Sequence, residues 1–253
     1  MGNLSEKTVQ NLKIETVEQY VRVVSSFERR HVAQWFFRGH GRREFRLVPT
    51  LFRVVEHNPM SNVGAIEAYL MDCFKQEAPA YLASPPPSDD ELGWLTIAQH
   101  YGVPTRLLDW STNPLIALYF AAVGHPDHAG DVWCIGAHST HNCLAESTHS
   151  DQRSTVRNSG LIVFPRHLSP RVTNQSGCFT NHRTDKPADE SDWEDYCRFT
   201  RIAIPAEQKK QVLSDLYDLG IHGTFIWPDL GGLAERLRYE VTVQHDRRTG
   251  DTG

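Results

Sequence analysis

Between Thr16 and Phe27 the apolar residues fall at Val17, Tyr20, Val21, Val24 and Phe27, a helical stripe with Thr16 as its cap. The period then changes at once. His31–Arg38 gathers Val32, Trp35, Phe36 and Phe37 and reads as a strand ending at Arg38-Gly39. A chain that opens this way buries a helix face against a sheet, and the remainder repeats the theme. Helices are expected near Ala65–Tyr81, with Ile66, Tyr69, Leu70, Cys73 and Phe74 on one face, and around Leu92–Gln99, with Ser88-Asp-Asp-Glu91 as a capping box. Asn113-Pro114 supplies a cap and a first-turn proline for a third helix carrying Leu115, Leu118 and Ala122 inward. Val103–Thr112 before it reads as a loop and short strand, and short β-like runs follow at Asp131–Ala137, Leu161–Phe164, Arg201–Ile204 and Thr224–Trp227. Ala206–Leu219 is a helix closed by Gly220, and a last short helix follows Asp229-Leu-Gly-Gly232. Helices first, then strands with helices interspersed, predict a single α+β domain spanning 1–253. Within it, 138–160 reads as a surface insertion, the acidic Asp185–Asp195 as a solvated loop and 246–253 as a frayed tail.

Composition narrows the class. With 253 residues, 40% hydrophobic and 23% charged, the chain can bury a sizeable core and is not globally disordered. Its 26 basic and 31 acidic residues leave a net charge of −5, which argues against bulk attraction to nucleic acid. The segment Glu28–Arg53 runs the other way, with seven arginines against two glutamates. No apolar run reaches the roughly 20 residues needed to cross a bilayer. The opening MGNLSEKTVQNLK lacks the apolar core of a signal peptide. Five cysteines, odd in number and irregularly spaced, suit a reducing compartment. These features point to a soluble cytoplasmic protein without a membrane partner.

Three segments embed polar residues among apolar ones: Trp35–Gly41 with Phe45–Arg53, Ala98–Thr112, and Arg171–Phe179. An arginine at a strand end beside glycine brings a guanidinium fork close to a phosphate or carboxylate. Ser111 and Thr112 precede a helix whose free N–H groups also favour anions. Arg38, Arg53 and Arg106 would therefore line one anion pocket if the fold brings them together. A plainer role stands beside this one: Arg106 pairs with Asp109 to satisfy a buried loop, and Ser111 or Asn113 merely caps a helix.

Phe37-Arg38-Gly39, His100-Tyr-Gly-Val-Pro-Thr-Arg-Leu-Leu-Asp-Trp-Ser111 and Ala117-Leu-Tyr-Phe-Ala-Ala122 together resemble the FRG domain, over about residues 30–235. Gln175-Ser-Gly-Cys-Phe179 and Trp227-Pro-Asp-Leu-Gly-Gly-Leu233 look like its closing motifs. A second resemblance is to ADP-ribosyltransferases of the Arg-Ser-Glu type. Arg38-Gly39 is similar to their first motif, and Trp110-Ser-Thr-Asn-Pro-Leu-Ile-Ala-Leu-Tyr-Phe-Ala121 to their second, in the same order.

That resemblance implies a mixed or split β-sheet with N-terminal and flanking helices, and NAD as substrate. It implies that Arg38 holds an NAD phosphate and that Ser111 helps to place the nicotinamide ribose, and Gly39, Arg53, Arg106 and Thr112 join them as candidate cofactor-binding residues. Tyr101 or Tyr119 would stack on nicotinamide, and His100 would deprotonate the acceptor. The third motif, Glu-x-Glu, has no counterpart. Gln175 is the preferred occupant, ahead of Glu240 and Asp229, and Asp109 is the alternative source of a catalytic acid. The role implied is a bacterial toxin or antiphage effector modifying protein, RNA or DNA, opposed by a neutralising protein such as an antitoxin. The alternative is a non-catalytic module binding a nucleotide, nucleic acid or protein through the same arginines.

Cys134-x3-His138-x2-His141-x-Cys143 places four metal-ligating residues within ten positions, but in an order unlike a zinc finger, and no metal site is assigned. Walker, Rossmann and Gly-x-Ser-x-Gly motifs are missing from the sequence, which disfavours kinase-like, redox and serine-hydrolase readings.

Overall fold

Strand β2 (Gln34–His40) is the spine of the molecule, and what lies on its backbone decides the architecture. A Cβ on Gly39 would fall inside the Ala117 carbonyl oxygen, and one on Gly130 would collide with the Ala121 carbonyl. Helix α5 (Pro114–Val123) therefore sits backbone to backbone on β2 and on its neighbour β4 (Gly130–Ala137). Its start is fixed as the sequence predicts: Asn113 caps through Leu115 N (3.0 Å) and Pro114 occupies the first turn.

The computed structural model describes residues 10–28, 32, 34–56, 62–137, 143–144, 161–165, 170–182, 184 and 198–249. Among the described residues one mixed sheet of eight strands is ordered β1-β8-β4-β2-β3-β7-β6-β5. The remaining strands are β1 (Gln10–Lys13), β3 (Leu107–Ser111), β5 (Cys143–Leu144), β6 (Leu161–Val163), β7 (Gly177–Asn181) and β8 (Arg198–Ile204). Pairings β1–β8 and β5–β6 are parallel, the rest antiparallel. β2 matches β4 along its whole length, from Gln34 with Ala137 to His40 with Asp131, yet joins β3 through the single pair Phe37–Ser111. The arrangement is α+β, as expected.

The helices are α1 (Val17–Ser25), α2 (Thr50–Val55), α3 (Val63–Glu77), α4 (Glu91–His100), α6 (Pro170–Asn174), α7 (Lys209–Asp218), α8 (Gly223–Ile226) and α9 (Leu230–Thr249). The largest core joins α1, α5, α7 and α8 to one face of β2, β4 and β8 through Tyr20, Phe37, Leu118, Ile202 and Leu216. Helix α4 covers the β3–β7 half of that face, packing Trp94, Leu95 and Ala98 on Leu107 and Phe179. The opposite face buries Phe36, Leu108, Trp110, Trp133 and Ile135. Lys209, 2% exposed, donates to the carbonyls of Gly41 (2.7 Å), Gly124 (2.7 Å) and His125 (3.0 Å), tying α7 to the end of α5. No helix among the described residues is long and apolar enough to cross a membrane.

Several sequence expectations are corrected. Thr224–Trp227 has β-forming residues but lies on α8, because the His222 carbonyl accepts from Phe225 N and Ile226 N. Strands β1, β5 and β7 go beyond the expected set, β5 lying within the segment expected to be a surface insertion. β7 was hidden by buried polar residues, Thr180, Asn181 and His182. Helix α3 turns Tyr69 outward and buries Glu67 and Met71 instead, because Glu67 accepts from the Arg106 backbone and pairs with its guanidinium. The cap of α4 is Asp90, bound to Gly93 N (2.9 Å). The Pro87 carbonyl accepts from Asp90 N, and that turn delays the helix beyond Ser88. The last helix is long and runs to Thr249, where a frayed tail from 246 was expected. The expectations for Asp185–Asp195, for 250–253 and for most of 138–160 lie outside the described residues.

Gly39→Ala should lower stability by about 3 kcal/mol or more, since a backbone carbonyl cannot step aside as a side chain would. Gly124→Ala, whose Cβ would meet nothing closer than 3.7 Å, should stay within about 1 kcal/mol. Urea denaturation of both variants gives the comparison, and equal losses would refute the seating of α5 described above.

Candidate functional site

Helices α4 and α5 cover different halves of one sheet face, and between them β2 and β3 share only one register pair. The gap is a cleft of about 280 Å³. It is lined by Phe37, Arg38 and Gly39 of β2, by Asp109, Trp110 and Ser111 of β3, and by Ile116, Ala117 and Phe120 of α5, with Gln99, Arg171 and Gln175 at its rim. A recess of about 60 Å³ adjoins it, bounded by Thr96, Gln99, His100, Asp109, Arg171, Gln175 and Phe179 among others. Both openings share Gln99, Asp109, Arg171 and Gln175, so they form one polar site with aromatic walls.

Arg38 is held from two sides. Its Nη1 donates to the Asp109 carbonyl (2.7 Å) and its Nε to His40 Nε2 (3.1 Å), while the Asp109 carboxylate lies 3.6 Å from Nη1. Nη2 has no hydrogen-bond partner among the described residues and is left to the cleft. Burial lowers the Arg38 pKa, and Asp109 opposes that shift. The Asp109 side chain is 56% exposed and accepts from Gln99 Nε2 (2.9 Å), whose Oε1 in turn accepts from Thr105 (2.6 Å). Ser111 is nearly buried: its hydroxyl donates to the Gln175 carbonyl (2.7 Å) and accepts from Asn113 N (3.0 Å). The Gln175 side chain donates to the Ile226 carbonyl (3.1 Å), which leaves its Oε1 available. Ser176, with φ of 47°, makes the tight turn from α6 into β7 and keeps Gln175 at the rim.

Of the residues the sequence singled out, Arg38, Gly39, Asp109, Ser111 and Gln175 line the cleft and His100 lines the recess. The others do not. Arg106 turns away to the buried Glu67, so neither an anion pocket of Arg38, Arg53 and Arg106 nor an Arg106–Asp109 pair forms. Arg53 lies exposed on α2 against Thr50 (2.8 Å), although its charge reaches Arg38 and His40. Tyr101 is 66% exposed beyond α4, where its ring meets the edge of His100. Tyr119 faces Trp227, since Ala117 and Phe120 take the cleft side of α5 and position 119 points elsewhere. Thr112 is engaged with the Ser176 backbone through its own N–H (3.0 Å).

Gln99 and Arg171 also belong to the site, and they lie inside the polar segments of the sequence with no motif of their own to mark them. Arg171 precedes Gln175 by one helical turn, a spacing that puts both on one side and was legible in principle. Among the described residues no acid lies within ion-pair distance of Arg171. His100 has its pKa lowered by burial first and Arg171 second, while Asp229 opposes them. No group of three or more metal-ligating side chains occurs among the described residues. Cys134 is buried in the sheet with its thiol pKa raised by burial, and His138 and His141 lie outside the described residues.

No curated protein and no solved structure matches the chain. A family model does: the FRG domain matches residues 33–129, from the start of β2 through α4, β3 and α5 to the edge of β4. That stretch contains Arg38, Asp109 and Ser111 and ends before Arg171 and Gln175, short of the span to about 235 that the motifs suggested. The segment that supplies the β2, β3 and α5 walls of the cleft, residues 33–129, is thus the part of the chain that matches the FRG domain.

Proposed function

We propose that the cleft binds NAD and that the protein is an ADP-ribosyltransferase acting on a protein, RNA or DNA acceptor, as a toxin or antiphage effector would. One observation carries this reading: the Arg38 guanidinium and the Asp109 carboxylate line the same cleft. Transfer from NAD needs a cation for the pyrophosphate and an anion beside the sugar carbon that becomes positive. Arg38 Nη2, with Arg171 across the rim, supplies the first, and Asp109 the second. Phe37, Trp110 and Phe120 offer apolar walls for nicotinamide, and Gln175 Oε1 an acceptor for a ribose hydroxyl. Ser111, committed to Gln175 and Asn113, braces the rim.

In this mechanism the bond from the anomeric carbon to nicotinamide breaks with its electron pair leaving on nicotinamide. Asp109 steadies the oxocarbenium-like sugar, and the acceptor nucleophile forms the new bond. The acceptor's proton passes to His100 in the adjoining recess, which its lowered pKa keeps neutral near pH 7. A cell holding such an activity needs it restrained, so a neutralising protein belongs to the same proposal.

Incubating the full chain with NAD and measuring free nicotinamide, with and without cell extract, tests the reading. Asp109→Asn should cut release about 100- to 1,000-fold while NAD still raises the melting temperature. Label recovered on extract components then sorts protein from nucleic-acid acceptors. A second reading, a non-catalytic nucleotide-binding module, draws on Asp109 being the single acid among the lining residues and already engaged with Gln99. It expects thermal stabilisation by NAD with no nicotinamide release from any form.

The lowered pKa of His100 gives a further expectation. A general base is active when deprotonated, so kcat/KM should climb with pH along a limb below about 6.5 and stay level above it. His100→Ala should abolish that limb, and an unchanged profile in the variant would remove His100 from the mechanism.

A further inference from the structure

His40 ends β2 two residues after Arg38, so strand alternation puts both side chains on one face. It is 4% exposed, and its Nε2 lies 3.1 Å from Arg38 Nε. Arginine has no acceptor, so Nε–H donates and Nε2 must offer its lone pair; the ring proton of a neutral imidazole then sits on Nδ1. The neighbours on that side are acceptors. Asp131 Oδ1 stands 3.8 Å away, directly across the β2–β4 ladder, and the Phe45 backbone is the other. His40 Nδ1 and Asp131 Oδ1 are both buried without a side-chain hydrogen-bond partner, a donor and an acceptor matched to each other in this tautomer. Asp131 is held in turn by Arg201 of β8, whose guanidinium lies 4.6 Å from the Trp133 ring centre. A row Arg201–Asp131–His40–Arg38 thus crosses three strands and ends at the cleft.

We propose that His40 is the positioning residue of the site, a neutral Nδ1–H imidazole that fixes the guanidinium plane of Arg38 so that Nη2 is presented to the phosphates of a bound nucleotide. The contribution to NAD use rests on the reading above; the tautomer and the bond to Arg38 do not. The charges around the ring agree. Burial first, then Arg38, Arg201 and Arg53, push the His40 pKa down to about 2, while burial lifts Asp131 to about 6 against the pull of Arg201.

The test has two arms on the full chain. In the first, nitrogen NMR at pH 7 of protein labelled at histidine and arginine should show His40 protonated at Nδ1 alone, and an Arg38 Nε–H protected from exchange. An Nε2–H tautomer, an imidazolium, or an Arg38 Nε–H exchanging as fast as the exposed Arg22 overturns the proposal whatever the protein does with NAD. In the second, His40→Gln keeps an acceptor for Arg38 and a donor toward Asp131. It should hold kcat/KM for NAD within about 3-fold, whereas His40→Leu should lose about 10- to 100-fold, chiefly in KM. Equal losses in the two variants overturn the positioning role. Wild-type protein that releases no nicotinamide removes the NAD reading, and the first arm then decides the geometry alone.

Discussion

The contact between the α5 backbone and the backbones of β2 and β4 sets the rest of the molecule in place. Side-chain packing normally keeps a helix well clear of a sheet, but Gly39 and Gly130 remove the Cβ atoms that would enforce the spacing. Once the helix is seated, β2 cannot rotate about its own axis. Phe37 and Gly39 must face α5, and Arg38 and His40 must occupy the alternate positions. Gly41 acts in the same way at the far end of α5, where a Cβ would press on the Gly124 carbonyl, and the Lys209 ammonium closes that end by drawing three carbonyls together. Glycine after arginine is therefore a statement about helix placement as much as about phosphate approach. Arg38 is aimed because its neighbour has no side chain.

Charge is buried around this frame where Glu67 meets Arg106, where Asp131 meets Arg201 and where Lys209 sits among carbonyls. Desolvation offsets much of the attraction in such pairs, so their value lies in specifying one arrangement over others. Each joins segments distant in sequence. Glu67 holds α3 to the start of β3, Asp131 with Arg201 locks β4 to β8, and Lys209 fixes α7 to α5. Losing one partner leaves an uncompensated charge in an apolar setting, which the fold tolerates poorly.

Much of the frame was legible in the sequence because its signals are local. Although Val21 of the expected stripe is exposed, the helix opening at Thr16-Val17, the Asn113-Pro114 cap and the apolar run of β2 each carry their information within a few residues. So did the clustering of Arg38, Asp109 and Ser111 in motifs that the structure brings to one cleft. The failures share a cause in long-range contact. Tyr69 was placed inward because nothing near it shows that Glu67 would find Arg106 across the fold. β7 is concealed because Thr180 is polar, and its bonds with the Trp110 indole and the His182 ring explain its burial. Arg53 and Arg106 look equivalent to Arg38 in composition, and the decisive difference is that Arg106 meets a carboxylate 39 residues away.

The single pair Phe37–Ser111 has a mechanical consequence. A sheet resists bending through its ladder bonds and through a helix that spans it, and at this seam both are interrupted. The β2–β4–β8 half is stiffened by α5, the β3–β7 half by α4, and compliance concentrates where they meet. A molecule that touched Arg38 on one side and Arg171 on the other would act as a splint across that soft line. Its grip would be felt in the breathing of the whole sheet, out to strands it never contacts.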